Sequence, residues 1–232
     1  MLKRAVWWSC PVWLSLASAA PAGIVFEQLP NLGGGGGSDT AFYEVMGFPE
    51  VWQLVADNVQ VSESAEIRRV TWWGFYGGNF DGTSDPPAGD EYMRVRFYAP
   101  RSSDGLPDDS AVLYEETFLN ASRAATGRFI FGGSPEFRYE ANLGTSFVLQ
   151  SSTVYWLEIV QLGDVDSHYR WSYGSGLRPG FAFLNSIVDD WRFTNGSYAF
   201  QLSTIPEPQA AALVGVSALV FVRWRRGRLS PC

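Results

Sequence analysis

The sequence predicts an all-β domain. Three observations predict it. Apolar and polar residues alternate with period two in several segments, glycines and prolines punctuate the chain at short intervals, and no long 3.6-residue apolar period appears between residues 24 and 204. Many short strands at regular spacing are the pattern of a β-sandwich or jelly roll. The length of this stretch suits one domain.

The elements are expected in the following order. Residues 25–28 form a first edge strand. The five glycines 33–37, ending in Ser38, form a flexible run that predicts a Gly-rich loop at 33–38. Short strands follow at 51–54 and 58–61, and a strong one at 67–76 carries Val70, Trp72 and Trp73. The two adjacent tryptophans must point to opposite faces, so one belongs to the core and the other is either covered or exposed. Tyr92-Met93-Arg94-Val95-Arg96-Phe97-Tyr98 alternates as a half-buried strand does. Strands are expected at 111–119, 128–132, 137–141 and 147–149, then a turn at Ser151-Ser152. The segment 154–160 is the most hydrophobic strand, and 168–173, 180–184, 191–194 and 198–202 complete the set.

The ends read differently. Lys3 and Arg4 precede an apolar stretch over 5–16, and Ala17-Ser18-Ala19 and Ala20-Pro21-Ala22 both offer small-x-small spacing. Basic head, apolar middle and small-residue exit make residues 1–22 a secretory signal peptide. The stretch is too short for a bilayer span, which takes about 20 residues. At the other end Pro206-Glu207-Pro208 breaks regular structure. An apolar segment over 210–222 follows, expected as a short helix, and then Arg223, Arg225, Arg226 and Arg228. Apolar helix followed by arginines implies transient membrane association with the basic end in the cytoplasm.

Composition bounds the partners. The chain is 46% hydrophobic and 18% charged, ample for a core and unlike a disordered chain. Removing Lys3, Arg4, Arg223, Arg225, Arg226 and Arg228 with the ends, and Glu207 with the tail, leaves 11 bases and 23 acids, a net charge of −12. Such a surface repels nucleic acid and suits divalent cations. The two cysteines, Cys10 and Cys232, lie in the removable ends, so the domain folds without disulfides and has no thiol nucleophile.

The order Pro206-Glu207-Pro208, apolar segment, arginine cluster over 205–228 resembles the PEP-CTERM sorting signal of Gram-negative and related bacteria. The resemblance implies an exported protein, signal peptidase and an exosortase as processing partners, and delivery to the cell surface or extracellular matrix. Within 24–204, Ala56-Asp57-Asn58, Val70-Thr71-Trp72-Trp73-Gly74, Arg94-Val95-Arg96-Phe97-Tyr98, Gly105-Leu106-Pro107 and Thr153-Val154-Tyr155-Trp156-Leu157 resemble a β-sandwich module common among PEP-CTERM cargo proteins. Asn58 stands where that module usually carries a second acid. The resemblance implies a fold and no activity.

Candidate chemistry is sparse. Asn79, Asp81, Thr83 and Asp85 present oxygens at alternate positions, with Asp90 close behind, as in many calcium loops; the spacing is not that of an EF-hand. A solvated acidic turn has the same composition. Tyr169, Trp171 and Tyr173 alternate and would share one strand face, a candidate platform for extracellular polysaccharide, although core packing is the commoner use of such residues. His168 is the only histidine, and no Gly-x-Ser-x-Gly elbow precedes it. A glycosidase needs only two carboxylates, and Glu115, Glu116, Glu136, Glu140 and Glu158 are candidates by type. Glu158, set amid an apolar strand, is expected to be partly buried with its pKa raised. The expected function is a non-enzymatic structural or interaction protein. The alternatives are a carbohydrate-binding module and, behind it, a glycosidase-like enzyme.

Overall fold

The structure is a computed structural model. It describes residues 23–45, 48–77, 86, 89–130, 133–162, 168–175, 180–185 and 188–204, with side chains at 32, 39–45, 48–52, 185, 188 and 189 excepted. These residues build two antiparallel sheets and no helix, as the alternation requires.

The first sheet centres on β5 (Ala65–Tyr76). On one side β5 pairs with β9 (Pro135–Leu149), and β9 with the edge strand β8 (Ser122–Phe129). On the other side it pairs with β14 (Phe200–Ser203) and, further along, with β11 (Tyr169–Gly174). Beyond these lie β1 (Ile24–Gln28) and β2 (Pro30–Gly37). The second sheet runs β13 (Val188–Thr194), β12 (Phe181–Asn185), β4 (Phe48–Gln60), β10 (Val154–Gln161), β6 (Tyr92–Pro100) and β7 (Pro107–Leu119), with β3 (Asp39–Val45) beside β4 and touching β10 through one parallel bridge.

Period-two alternation assigns the faces. In β10, Tyr155, Leu157 and Ile159 join the main core, together with Val55 and Val59 of β4 and Val95 and Phe97 of β6. From the first sheet come Ile67, Val70, Trp72, Tyr139, Phe200 and Leu202. This shared core between two sheets is sandwich-like. A second cluster, Ala56, Tyr98, Trp156, Ala182 and Trp191, lies on the opposite face of the second sheet.

Two expectations about elements need correction. The glycines expected as a loop at 33–38 lie in strand β2, where Gly35, Gly36 and Gly37 pair with Ser172, Trp171 and Arg170. Glycine is needed for space, not for flexibility. A Cβ on Gly35 would collide with the Trp171 carbonyl and lie 2.7 Å from the Phe75 ring, and one on Gly36 would collide with the Tyr198 hydroxyl. Aromatic rings therefore pack directly onto the backbone of β2. Gly35→Ala is expected to cost about 1–3 kcal/mol, because the carbonyl it meets belongs to a paired strand and cannot step aside. A urea midpoint equal to that of the unchanged protein would refute this.

Of the strand expected at 128–132, Arg128 and Phe129 form the end of β8, whose small residues Ser122, Ala124, Ala125 and Gly127 carry no apolar alternation, and 131–132 lie outside the described residues. Several segments expected as separate strands are continuous, with 51–54 and all but Val61 of 58–61 within β4, and 137–141 and 147–149 within β9.

Candidate functional site

The aromatic platform expected at Tyr169, Trp171 and Tyr173 is not on the surface. The three residues do share a face of β11, but it is the inner one. Trp171 is fully buried, stacks on Tyr198 at 4.8 Å between ring centroids, and donates its indole N–H to the Ala199 carbonyl at 2.8 Å. Tyr169 is fully buried edge-on to Tyr76 (5.9 Å) and Tyr139 (6.0 Å). Tyr173 is half-buried against Tyr198 and Phe181. The reason is positional: β11 lies between β5 and β2, so one of its faces must meet the second sheet. Rings inside the core have no face left for a sugar. Trp72 points inward and Trp73 outward, as adjacent strand residues must. Trp73 is nevertheless covered, with the Arg138 guanidinium 6.0 Å from its ring.

The chemistry of the described residues is concentrated in buried carboxylates: Asp57, Glu91, Glu136 and Glu158. Glu158 has no exposed surface and sits on the outer face of β10, between Trp156 and Val160. It accepts from Arg94 Nη2 at 2.9 Å and Nε at 3.2 Å, and from the Tyr98 hydroxyl at 2.7 Å. The register sets Arg96 directly opposite Glu158, and Arg96 in turn bonds Glu115 at 2.5 Å. Two of the candidate carboxylates, Glu115 and Glu158, are thus joined through one guanidinium. Burial holds the Glu158 carboxyl above its usual value near 4.5, against the opposing pull of Arg94. A group that keeps its proton more readily when folded gives stability that is full below the unfolded pKa and declines as pH rises through the folded one. The stability margin of the protein over Glu158→Gln is therefore expected to shrink as pH rises above the ordinary carboxylate range and through the raised folded value. A margin that grows with pH, measured by urea unfolding, would show that Arg94 outweighs burial.

Glu91 and Asp57 join the two sheets. Glu91, just before β6, accepts from the hydroxyls of Tyr76 and Tyr139, the latter at 3.2 Å, and from Arg123 Nη1 at 3.0 Å. Its backbone is held by Asn120, a residue at φ 53° whose amide donates to the Glu91 carbonyl at 2.7 Å and whose Oδ1 accepts the Glu91 N–H at 2.9 Å. Burial pushes the Tyr76 and Tyr139 hydroxyls well above the ordinary tyrosine range, so both stay protonated donors. Asp57, on the inner face of β4, accepts from the Tyr198 N–H at 2.6 Å and from Gln28 Nε2 at 3.3 Å. These contacts tie β4 to β1 and to the segment entering β14.

The other candidates are scattered. Glu136 is buried on the outer face of the first sheet with Ser172 Oγ at 3.1 Å, Thr126 Oγ1 at 3.2 Å and Arg128. Glu140 pairs with Arg138 at 2.5 Å. Glu116 accepts from the Gly144 N–H at 2.8 Å and from the Tyr114 hydroxyl. Glu136 and Glu116 cross-link neighbouring strands through these donors, whereas Glu140 pairs within β9. Sequence reasoning named Asp57 only within the Ala56-Asp57-Asn58 patch and gave neither it nor Glu91 a role as a buried clamp. Asp57 was detectable, because Val55, Val59 and Val61 set its position on the apolar side of an alternating strand. Nothing local marks Glu91.

Of the calcium candidates, Asn79, Asp81, Thr83 and Asp85 lie outside the described residues, as do Pro206, Glu207, Pro208, Arg223, Arg225 and Arg226 of the sorting motif. Asp90 is exposed and accepts from Asn120 Nδ2 at 3.0 Å. Among the described residues no group of three or more His, Cys, Asp or Glu side chains gathers in metal-binding fashion, and no helix is long and apolar enough to cross a membrane.

The family model for DUF7901, described as a domain of unknown function, matches residues 24–209. No curated protein matches the chain.

Proposed function

The chain belongs to the DUF7901 family, a domain of unknown function, and we propose that it is an exported, jelly-roll-like β-sandwich of the PEP-CTERM type, delivered to the cell surface or extracellular matrix. Its work is structural or adhesive and not catalytic. Signal peptidase removes residues 1–22, and an exosortase reads Pro206-Glu207-Pro208 while the apolar tail and its arginines hold the chain in the membrane.

One observation carries the reading from the side of the fold. The two ends of the domain meet: Gly23 N–H donates to Thr204 Oγ1 at 2.9 Å, and Thr204 N–H donates to the Gly23 carbonyl at 3.1 Å. A tail leaving at Thr204 therefore starts from the same corner of the first sheet as the signal peptide. The domain left after processing carries a net charge of −12. The buried carboxylate clamps keep such a domain rigid without disulfides.

The test is to express the full chain in a host with an exosortase and in the same host without it, following location and intact mass. The expected result is loss of both ends and surface or matrix delivery with the enzyme, and membrane retention with an uncut tail without it. Identical mass and location in both would overturn the proposal. A calcium-dependent rise in Tm that is lost in Asp81→Ala and Asp85→Ala would assign a cation to the acidic loop, and its absence would remove calcium from the reading.

A further inference from the structure

The outer apolar cluster is closed by strands that are not neighbours. In the second sheet β13 and β6 are separated by β12, β4 and β10. In a flat sheet they would stand about 19 Å apart, at roughly 4.8 Å per strand. Yet the ring of Trp191 on β13 meets that of Tyr98 on β6 at 6.0 Å between centroids. Trp191 Nε1 donates to Asp109 Oδ1 on β7, one strand farther still, at 2.9 Å. Arg101, just after β6, bonds Asp190 of β13 at 2.5 Å. The sheet therefore curls until its far strands touch, with its outer face concave. The floor of the curl is small: Ala56 of β4 and Ala182 of β12 are fully buried in the cluster.

The seam differs from the rest of the sheet. The strand pairings among the described residues run out at β13 on one side and β7 on the other. Among the described residues, only side chains close the gap between them. Backbone ties hold β13 to β12, and β12 to β4. The closing ion pair is accessible to salt, with the Asp190 side chain 59% exposed and Arg101 also shared with Asp104 at 3.0 Å. Trp191 beneath it is buried. Among the described residues, none of the buried side chains of the main core comes from β13.

We propose that β13 is a strap, latched over the outer face of the second sheet by Arg101–Asp190 and Asp109–Trp191, that opens locally while the sandwich stays folded. Opening uncovers Trp156, Trp191 and Tyr98, and salt weakens the latch. Local opening is favoured here because it breaks one seam and one small cluster and leaves the shared core intact. Exposed ion pairs of the Arg101 kind are screened by salt.

Hydrogen exchange of the full chain, resolved peptide by peptide, tests this. In Arg101→Ala the β13 amides are expected to exchange about two- to fivefold faster, the range an exposed ion pair supports. In Asp109→Ala they exchange at least about tenfold faster, as loss of a charged acceptor implies. Amides of β5 and β9 keep their rates in both. Added salt speeds β13 in the unchanged protein and has no further effect in Arg101→Ala. The proposal is overturned if β13 exchanges at one rate in all three proteins, or only in step with β5. The salt series on the unchanged protein decides the matter even where a variant folds poorly, because salt that leaves the ratio of β13 to β5 rates constant also overturns it.

Discussion

Glu158→Ala is expected to lower the unfolding free energy by about 3–5 kcal/mol, the cost of leaving the largely buried Arg94 guanidinium without its acceptor. The partners left are Arg94 and Tyr98, with Arg96 at 4.0 Å. Arg94 is only 14% exposed, so water cannot replace the lost carboxylate without moving the strand. Arg96 loses less, because Glu115 remains. The measurement is urea unfolding at neutral pH, with the slope compared to confirm an unchanged transition. A companion variant sharpens it. Glu158→Leu combined with Arg94→Leu removes both charges and is expected to recover most of the loss, since an apolar pair of similar volume is often neutral in such a place. If the double variant is as unstable as the single one, the loss comes from the packing around Val160 and Trp156 and not from the stranded charge.

Trp171→Ala is expected to be as costly, about 3–5 kcal/mol, because it empties the centre of the main core. The indole stacks on Tyr198, leans on Phe200 at 5.9 Å and caps the Ala199 carbonyl. Its loss also leaves that carbonyl without its indole donor. Trp171→Phe keeps the stack, loses the hydrogen bond and is expected to cost less. The same proteins can be run against a polysaccharide panel. A Trp171→Ala protein that unfolds at the normal urea concentration and has lost sugar retention would return this residue to the surface. The burial of Trp171 predicts the reverse: a large stability loss, and any change in retention only in proportion to unfolding.

How far the sequence reaches can be seen residue by residue. The alternation of 92–98 and of 154–160 identified β6 and β10 and sorted their side chains into two faces. The same pattern placed Glu158 among apolar neighbours and anticipated its burial and the direction of its pKa. Adjacent Trp72 and Trp73 had to part, and they do. The glycine run was misread because flexibility is a property of the free chain. The closeness of the Trp171 carbonyl and of the Phe75 and Tyr198 rings makes glycine the one residue that fits β2, and those two rings arrive from 40 and 162 residues away along the sequence.

The sequence alone determined that this chain is β-structured and which residues share a strand face. These follow from local physics: side chains alternate every residue in a strand, and prolines and apolar runs act where they stand. Only the tertiary structure decided which face looks inward, so that Tyr169, Trp171 and Tyr173 became core and not platform. It alone brought Glu91 to Tyr76 and Tyr139, Asp57 to Tyr198, and Trp191 across the curl to Asp109. Those contacts depend on how two sheets stack and bend, and a period of two records that a face exists without recording what it faces.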